Sequence, residues 1–113
     1  MAEKREIKRR RRRIALRFGS NQANRLAFTD DVSPDGMFIR TANTCSPGSV
    51  LKVALILQDE KCISFEARVM WAKKVPPQLI NLANKSGMGI RIERFLEGEE
   101  LYRQLCVGTL PIS

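Results

Sequence analysis

One stretch of this chain alternates between apolar and polar side chains, and it restricts the fold more than any other feature. From position 63 to 71 the odd-numbered residues are all apolar: Ile63, Phe65, Ala67, Val69 and Trp71. Because successive side chains of a β-strand point to opposite faces, this pattern predicts a long strand with one buried face. We expect Trp71 to lie in the core, because it shares its face with Phe65 and Val69.

Shorter apolar stretches on both sides of this strand predict five more strands. They lie near residues 14–18, 25–29, 37–41, 50–57 and 88–92. Residues typical of turns separate them, and they predict a loop from Asp30 to Gly36 and a longer loop from Val75 to Gly87. Short antiparallel strands joined by tight turns favour a small closed barrel or a sandwich.

The last part of the chain has a different period. Leu101 and Leu105 are four residues apart, as are Tyr102 and Cys106. This spacing predicts an amphipathic helix over about 97–107, with acidic residues in its first turn. The sequence therefore predicts an all-β domain with one C-terminal helix, which is placed to close an open end of the strands.

Several functional classes are disfavoured by what the sequence lacks. The chain contains no histidine, which removes histidine-based catalysis and most zinc and iron sites. Phosphate-loop, dinucleotide-binding and nucleophile-elbow motifs are absent, so we expect no enzyme and no cofactor. Three widely spaced cysteines predict buried or half-buried thiols rather than disulfides or a metal site. No apolar run is long enough for a membrane span or a signal peptide, so we expect a cytoplasmic protein.

Positive charge is concentrated at the amino end of the chain. The net charge is +8, and the first 17 of the 113 residues hold nine basic and two acidic side chains. Arg9 to Arg13 are consecutive arginines, which repel one another and suit contacts with phosphate or with a guanine edge. The sequence predicts a flexible basic arm over 1–12 and a folded domain over 13–113, and it favours an anionic partner.

The segment from Asp31 to Gly36 is the second candidate for binding. A carboxylate such as Asp31 accepts hydrogen bonds from guanine N–H groups, and Ser33 donates to or accepts from a base or a phosphate oxygen. Gly36 allows close approach of the backbone or a positive φ. By itself, however, a segment of aspartate, serine, proline and glycine is most often an ordinary turn.

The order and spacing of the two segments resemble those of the PilZ domain family. In this family R-x-x-x-R precedes the first strand and is followed by [D/N]-x-S-x-x-G, which read here as Arg9–Arg13 and Asp31–Gly36. The Ser46-Pro47-Gly48 turn, the strand bearing Trp71, the glycines of Gly87-Met88-Gly89 and the closing helix resemble the family too. The chain differs at Asp35, where many members have a second glycine.

This resemblance implies a six-stranded antiparallel PilZ-type β-barrel that binds the second messenger cyclic di-GMP and has no catalytic activity. It implies Arg9, Arg13, Asp31, Ser33 and Gly36 as the ligand-binding residues, with Arg10 and Arg12 in support. Arg5/Arg9, Arg9/Arg13 and Arg13/Arg17 all fit the R-x-x-x-R spacing. We prefer Arg9 and Arg13 because Arg13 directly precedes Ile14, the first apolar residue of a strand, whereas Arg17 falls inside the strand. The implied ligand bridges an arginine arm and the barrel, so that ordering of the arm signals to a separate, unidentified protein.

Two other functions remain open at this stage. A PilZ-like barrel can serve as a protein-interaction adaptor without binding a nucleotide, although Asp31, Ser33 and Gly36 argue against that. A barrel with a basic arm can also bind RNA or DNA, which requires exposed aromatic side chains on the strands. Most of the seven aromatic residues fall at predicted core positions, so nucleic acid is the weaker hypothesis.

Overall fold

A computed structural model describes residues 10–11, 13–74 and 86–107, with the backbone alone for residues 10–11. In this part of the chain, seven strands precede one helix. The strands are β1 (Arg10–Arg11), β2 (Ala15–Gly19), β3 (Arg25–Ser33), β4 (Gly36–Arg40), β5 (Val50–Ile56), β6 (Cys62–Lys73) and β7 (Gly87–Glu97). A short 3-10 turn over Gln58–Glu60 joins β5 to β6, and the helix α1 covers Glu99–Cys106.

Six of the strands form a closed antiparallel barrel. The neighbours run β3, β2, β5, β6, β7 and β4, and β4 pairs with β3 to close the ring. The two-residue strand β1 adds to β3, where Arg10 lies opposite Val32 and Arg11 opposite Asp31. The expected six-stranded barrel with a single C-terminal helix is confirmed, and the barrel rather than the sandwich is the correct architecture.

The barrel interior is built by the alternation that the sequence predicted. Alternate residues of β6, from Ile63 to Val69, are fully buried, and β2 and β5 contribute Phe18 and Leu51 from their own alternating positions. The helix covers one end of this core, where Tyr102 and Leu105 are buried. Burial of apolar surface on this scale is the main term that stabilises a small domain.

The predicted loop from Asp30 to Gly36 is wrong for most of its length. Strand β3 continues through Ser33, and only Pro34 and Asp35 form the turn to β4. The register shifts between Thr29 and Asp31, so that Asp30 is an extra residue relative to β4. A bulge of this kind allows two adjacent aspartates to stay in a paired strand while their carboxylates remain partly exposed to water.

The predicted burial of Trp71 is also wrong. Val69 lies opposite Ile90 and Trp71 lies opposite Gly89, so Met70 is an extra residue in β6. This bulge reverses the alternation, because side chains after an inserted residue point to the other face. Trp71 is therefore on the outside of the barrel and is 48% exposed.

The ends of the last two elements differ slightly from the expectation. Strand β7 runs to Glu97, which pairs with Ser64 of β6, and Gly98 then turns the chain with a φ of 82°. A positive φ of this size is accessible mainly to glycine. The helix begins at Glu99 for this reason and lies within the predicted range 97–107.

Candidate functional site

Residues of five strands form one continuous row across the barrel. Arg11 of β1 pairs with Asp31 of β3, and Asp31 pairs with Phe38 of β4. Phe38 in turn pairs with Gly89 of β7, which pairs with Trp71 of β6. We call this series of register partners the cross-strand row. It brings a residue from the basic arm, a carboxylate and two aromatic residues to the same level of the sheet.

Two glycines of β7 support the aromatic side chains of this row. A Cβ on Gly89 would lie 2.4 Å from Nε1 of Trp71, and a Cβ on Gly87 would lie 2.3 Å from Cζ of Phe38. The two rings therefore lie directly over the backbone of β7. They stack on one another with centroids 5.3 Å apart and planes inclined by 27°. The result is a flat aromatic surface, with about half of Trp71 open to solvent.

A shallow pocket of about 180 Å³ lies beside this aromatic surface. Ser33, Asp35 and Gly36 line one side of it, from the end of β3 to the start of β4. The other side is formed by β6 and β7 with Met70, Trp71, Gly89, Ile90 and Arg91. The pocket thus joins an apolar ring, a hydroxyl-bearing turn and a guanidinium-bearing strand.

The turn between β3 and β4 is held by contacts on its inner side. Ser33 is buried, and its hydroxyl donates to the carbonyl oxygen of Gly36 at 3.3 Å. Gly36 packs so closely on β7 that a Cβ there would lie 2.0 Å from the carbonyl oxygen of Ile90. Gly36 is required by this contact between strands, and its φ is not positive. Tyr102 of α1 donates to the same turn, at 2.6 Å from the carbonyl oxygen of Ser33.

Arg13 is positioned by an anchor between the start of β2 and the middle of β3. The amide of Ile14 donates to Oγ1 of Thr29 at 2.9 Å, and the amide of Thr29 donates to the carbonyl oxygen of Ile14 at 2.9 Å. The guanidinium carbon of Arg13 then lies 4.3 Å from the centroid of the Phe28 ring. This cation–π contact holds an exposed arginine against β3, the strand that also carries Asp31 and Ser33.

The predicted binding residues are brought together only in part. Asp31, Ser33 and Gly36 lie in one hairpin, and Arg13 lies on the neighbouring stretch of chain. Asp31 is half-buried, whereas Ser33 and Gly36 are buried. Arg9 and Arg12 lie outside the described residues, and so does the Arg10 side chain.

Sequence reasoning missed the residues on the far side of the pocket. Trp71 was assigned to the core, and Met70 and Arg91 were given no role. The available signal was the spacing of Gly87 and Gly89, which stand two apart in a strand and so face the same side. Glycines in that pattern indicate that other groups approach the strand closely.

A second and larger cavity contains none of the predicted binding residues. Its volume is about 430 Å³, and it lies at the connection from β2 to β3. Its lining includes Phe18 and Cys45, and the rest is formed by Gly19, Ser20, Asn21, Gln22, Asn24 and Arg25. Size alone does not make it the better candidate, since no charged cluster or supported aromatic ring accompanies it.

The thiols and the remaining acidic groups form no second reactive centre in the described residues. Cys45 and Cys62 are half-buried and Cys106 is buried, as the sequence predicted. Burial raises the pKa of Cys62, and the nearby carboxylate of Glu97 adds to the rise. Among residues 13–74 and 86–107, no group of three cysteine, aspartate or glutamate side chains is arranged to hold a metal ion. The described part of the chain also has no helix with the length and apolarity needed to cross a bilayer.

Comparisons with known proteins agree with this architecture. Residues 3–106 match the family model described as the PilZ domain. The inhibitor of motility MotI/DgrA from Bacillus subtilis superposes with a TM-score of 0.71 at 17% identity, over 94% of this chain and 51% of that one. The chain thus spans about half the length of MotI/DgrA.

A second solved structure matches over nearly its whole length. The PilZ domain of CeSA from a cellulose-synthesizing bacterium superposes with a TM-score of 0.61 at 18% identity, over 89% of this chain and 96% of that one. At these identities both likenesses concern the fold. A comparison with curated proteins finds no match.

Proposed function

The chain belongs to the PilZ domain family, and from that premise we propose that it is a bacterial, cytoplasmic receptor for cyclic di-GMP. The ligand occupies the pocket beside the cross-strand row and is closed over by the arginine arm. One observation carries the proposal. Ser33 and Gly36 of the family motif line the same pocket as Trp71, so a polar turn and an exposed aromatic ring face one small volume.

The pocket, the cross-strand row beside it and the arginine arm each offer a partner to a different part of a guanine nucleotide. The exposed indole of Trp71 provides a flat surface on which a base stacks, a contact worth about 1–3 kcal/mol per base. The carboxylate of Asp31 accepts from the N–H groups of guanine, and arginine forks match both the O6/N7 edge and the phosphates. Arg13 and the run that precedes it supply those forks.

The arm is the element that reports ligand binding. The backbone of Arg10 and Arg11 already pairs with β3 at Val32 and Asp31, so the C-terminal end of the arm lies beside the motif. We propose that phosphate relieves the repulsion between neighbouring arginines and fixes residues 1–12 on the barrel, where a partner protein recognises them. Amide exchange across residues 1–12 should slow on addition of cyclic di-GMP, and unchanged exchange at saturation would refute the switch.

The sign of one charge change tests base recognition directly. Asp31→Ala removes a negative charge near an anionic ligand, so simple electrostatics predicts tighter binding. If Asp31 accepts from guanine, the same change leaves N–H donors without a partner and costs about 1–3 kcal/mol, or roughly 5- to 150-fold in affinity. Titration calorimetry with cyclic di-GMP measures this, with GTP and cyclic di-AMP as competing ligands.

Two further variants separate charge from hydrogen bonding. Asp31→Asn removes the same charge but keeps one carbonyl acceptor, so it should bind more tightly than Asp31→Ala. Glu60→Gln removes a negative charge at the opposite end of β6, in the 3-10 turn, and should leave the affinity unchanged. Asp31→Ala binding as tightly as the unaltered protein, with the fold intact by circular dichroism, would contradict guanine recognition.

The nucleotide-independent adaptor is kept as a second candidate by one observation. The hydroxyl of Ser33 is buried and already bonded within the turn, so the motif also has a purely structural role. Absence of binding for cyclic di-GMP in the calorimetry would favour the adaptor. Equal binding of single-stranded RNA and cyclic di-GMP would instead favour a polyanion binder, which needs the arm but not the pocket.

A further inference from the structure

A single buried hydroxyl connects the C-terminal helix to the turn that lines the pocket. Oη of Tyr102 lies 2.6 Å from the carbonyl oxygen of Ser33 and 3.2 Å from that of Gly36. These two carbonyls stand on either side of Pro34 and Asp35, at the two ends of the turn. The single phenol proton is therefore shared between the two carbonyls from inside the barrel, and it reinforces the pairing of Ser33 with Gly36 that closes the turn.

The surroundings of Tyr102 leave it little freedom to move. Its side chain is 1% exposed, and its ring packs against those of Phe95 and Phe65 at centroid distances of 5.5 and 6.1 Å. Burial raises the pKa of Tyr102, and the neighbouring side chain of Cys106 adds to the rise. The phenol consequently keeps its proton and remains a donor near neutral pH.

The same two residues of the turn face the pocket on their outer side. Ser33 and Gly36 line the pocket, while their carbonyl oxygens accept from Tyr102 on the inner side. We infer that Tyr102 is a positioning residue of this site, and that through its hydroxyl the turn and α1 respond to one another. The inference rests on the proposed function for the identity of the ligand, whereas the contact between helix and turn does not.

Coupling of this kind must act in both directions. A ligand that fixes the turn also fixes the two acceptors of Tyr102, and it therefore strengthens the docking of α1. By thermodynamic linkage, loosening α1 weakens ligand binding by the same factor. The helix has only eight residues and follows β7 after Gly98, so its docking depends strongly on its three buried residues, Tyr102, Leu105 and Cys106.

The first test needs no nucleotide. Tyr102→Phe keeps the ring and its packing but removes the hydroxyl. Its matched control is Val53→Ala, a core change in β5, which pairs with β2 and β6 and not with β3, β4 or β7. After correction for overall stability, we expect the amide of Gly36, which is paired with Ser33, to exchange about fivefold to tenfold faster in Tyr102→Phe than in the control. Equal rates in the two variants would overturn the inference.

The second test measures the response to cyclic di-GMP. Tyr102→Phe should weaken binding by about fivefold to tenfold, whereas Val53→Ala should leave it unchanged. Saturating nucleotide should slow amide exchange in α1 of the unaltered protein and should fail to do so in Tyr102→Phe. A residue with only a structural role would lower stability without abolishing this response.

The outcomes separate the inference from the proposed function. If the unaltered protein binds no cyclic di-GMP, the proposed function fails, and the exchange of Gly36 decides the role of Tyr102. If the unaltered protein binds and Tyr102→Phe matches it in affinity and in the protection of α1, the inference fails and the proposed function stands.

Discussion

The two sides of the barrel differ in how regularly their strands pair. On one side β5 and β6 pair through seven consecutive residues, from Val50 to Ile56, without any shift of register. On the other side the register shifts within the β3–β4 pair and three times between β6 and β7. Regular pairing keeps the alternation intact and fills the core, whereas each bulge points a side chain to the opposite face.

The irregular side carries every feature that suits a ligand. The bulges at Asp30 and Met70 accompany a half-buried Asp31 and an exposed Trp71, and the glycines of β7 let the rings lie flat. Bulges are frequent next to binding sites because they redirect individual side chains without opening the sheet. Regular core-building pairing and irregular pairing with redirected side chains thus lie on different strand pairs of one small barrel.

The largest effects should come from replacing two aromatic residues of β6, one in the core and one on the outside of the barrel. Phe65→Ala, in the regular core, should lower the free energy of unfolding by about 3–5 kcal/mol. Trp71→Ala should lower it by roughly 1–2 kcal/mol, because about half of this side chain is exposed, but it should weaken cyclic di-GMP binding by about 1–3 kcal/mol.

Urea unfolding followed by circular dichroism, together with calorimetry, checks both values. The milder variant Phe65→Leu gives the same ranking if Phe65→Ala does not fold. A stability loss for Trp71→Ala as large as that for Phe65→Ala would mean that the two sides of the barrel do not differ in this way.

The next effect concerns Arg13 and Arg9, the predicted R-x-x-x-R pair. Arg13→Ala should weaken cyclic di-GMP binding by about 1.5–3 kcal/mol, the usual range for charge-assisted hydrogen bonds. Arg9→Ala should do the same if Arg9 and Arg13 form the R-x-x-x-R pair. Arg17→Ala is the matched control, because it removes the same charge from an exposed position on β2, opposite Leu26. Equal losses of affinity in the Arg13 and Arg17 variants would mean that the loss comes from the change in net charge and not from a specific contact of Arg13.

A smaller effect should distinguish Gly36, which packs closely on β7, from Gly48, which has a positive φ and open space around it. Gly36→Ala forces a Cβ against the carbonyl oxygen of Ile90 and should destabilise the fold by about 1–3 kcal/mol while weakening nucleotide binding. Gly48→Ala meets no atom within 4 Å, and its cost comes from a φ of 93°. That cost is roughly 1–2 kcal/mol, and Gly48→Ala should leave binding unchanged. Binding that is equally weakened in both variants would argue against a site at the β3–β4 turn.

The sequence predicted the regular side of the molecule well for a physical reason. A strand with one buried face must alternate between apolar and polar side chains. The residues from Ile63 to Val69 therefore predicted both the strand and its core positions. The four-residue spacing of Tyr102 and Cys106 likewise indicated a helix with a buried side. The motif correctly predicted that Asp31, Ser33 and Gly36 lie close together. They lie at the ends of two paired strands, however, and not in a loop.

The irregular side could not be predicted in the same way. The sequence does not indicate the bulge at Met70. Trp71 is apolar and continues the alternation of the strand, so the pattern predicts a buried side chain where the bulge turns it outward. The hydrogen bonds of Tyr102 join residues that are 69 and 66 positions apart, so no local pattern reveals them. Such contacts depend on how the helix docks on the finished barrel.

The most direct test of the account uses Trp71 as its own probe. It is the only tryptophan in the chain, and it lies on the irregular side beside the pocket. Titration with cyclic di-GMP should change its fluorescence in a saturable manner, since a base that stacks on the indole alters its environment, while cyclic di-AMP should cause little change. No saturable change with cyclic di-GMP, or an equal change with cyclic di-AMP, would contradict the claim that this face of the barrel recognises the guanine nucleotide.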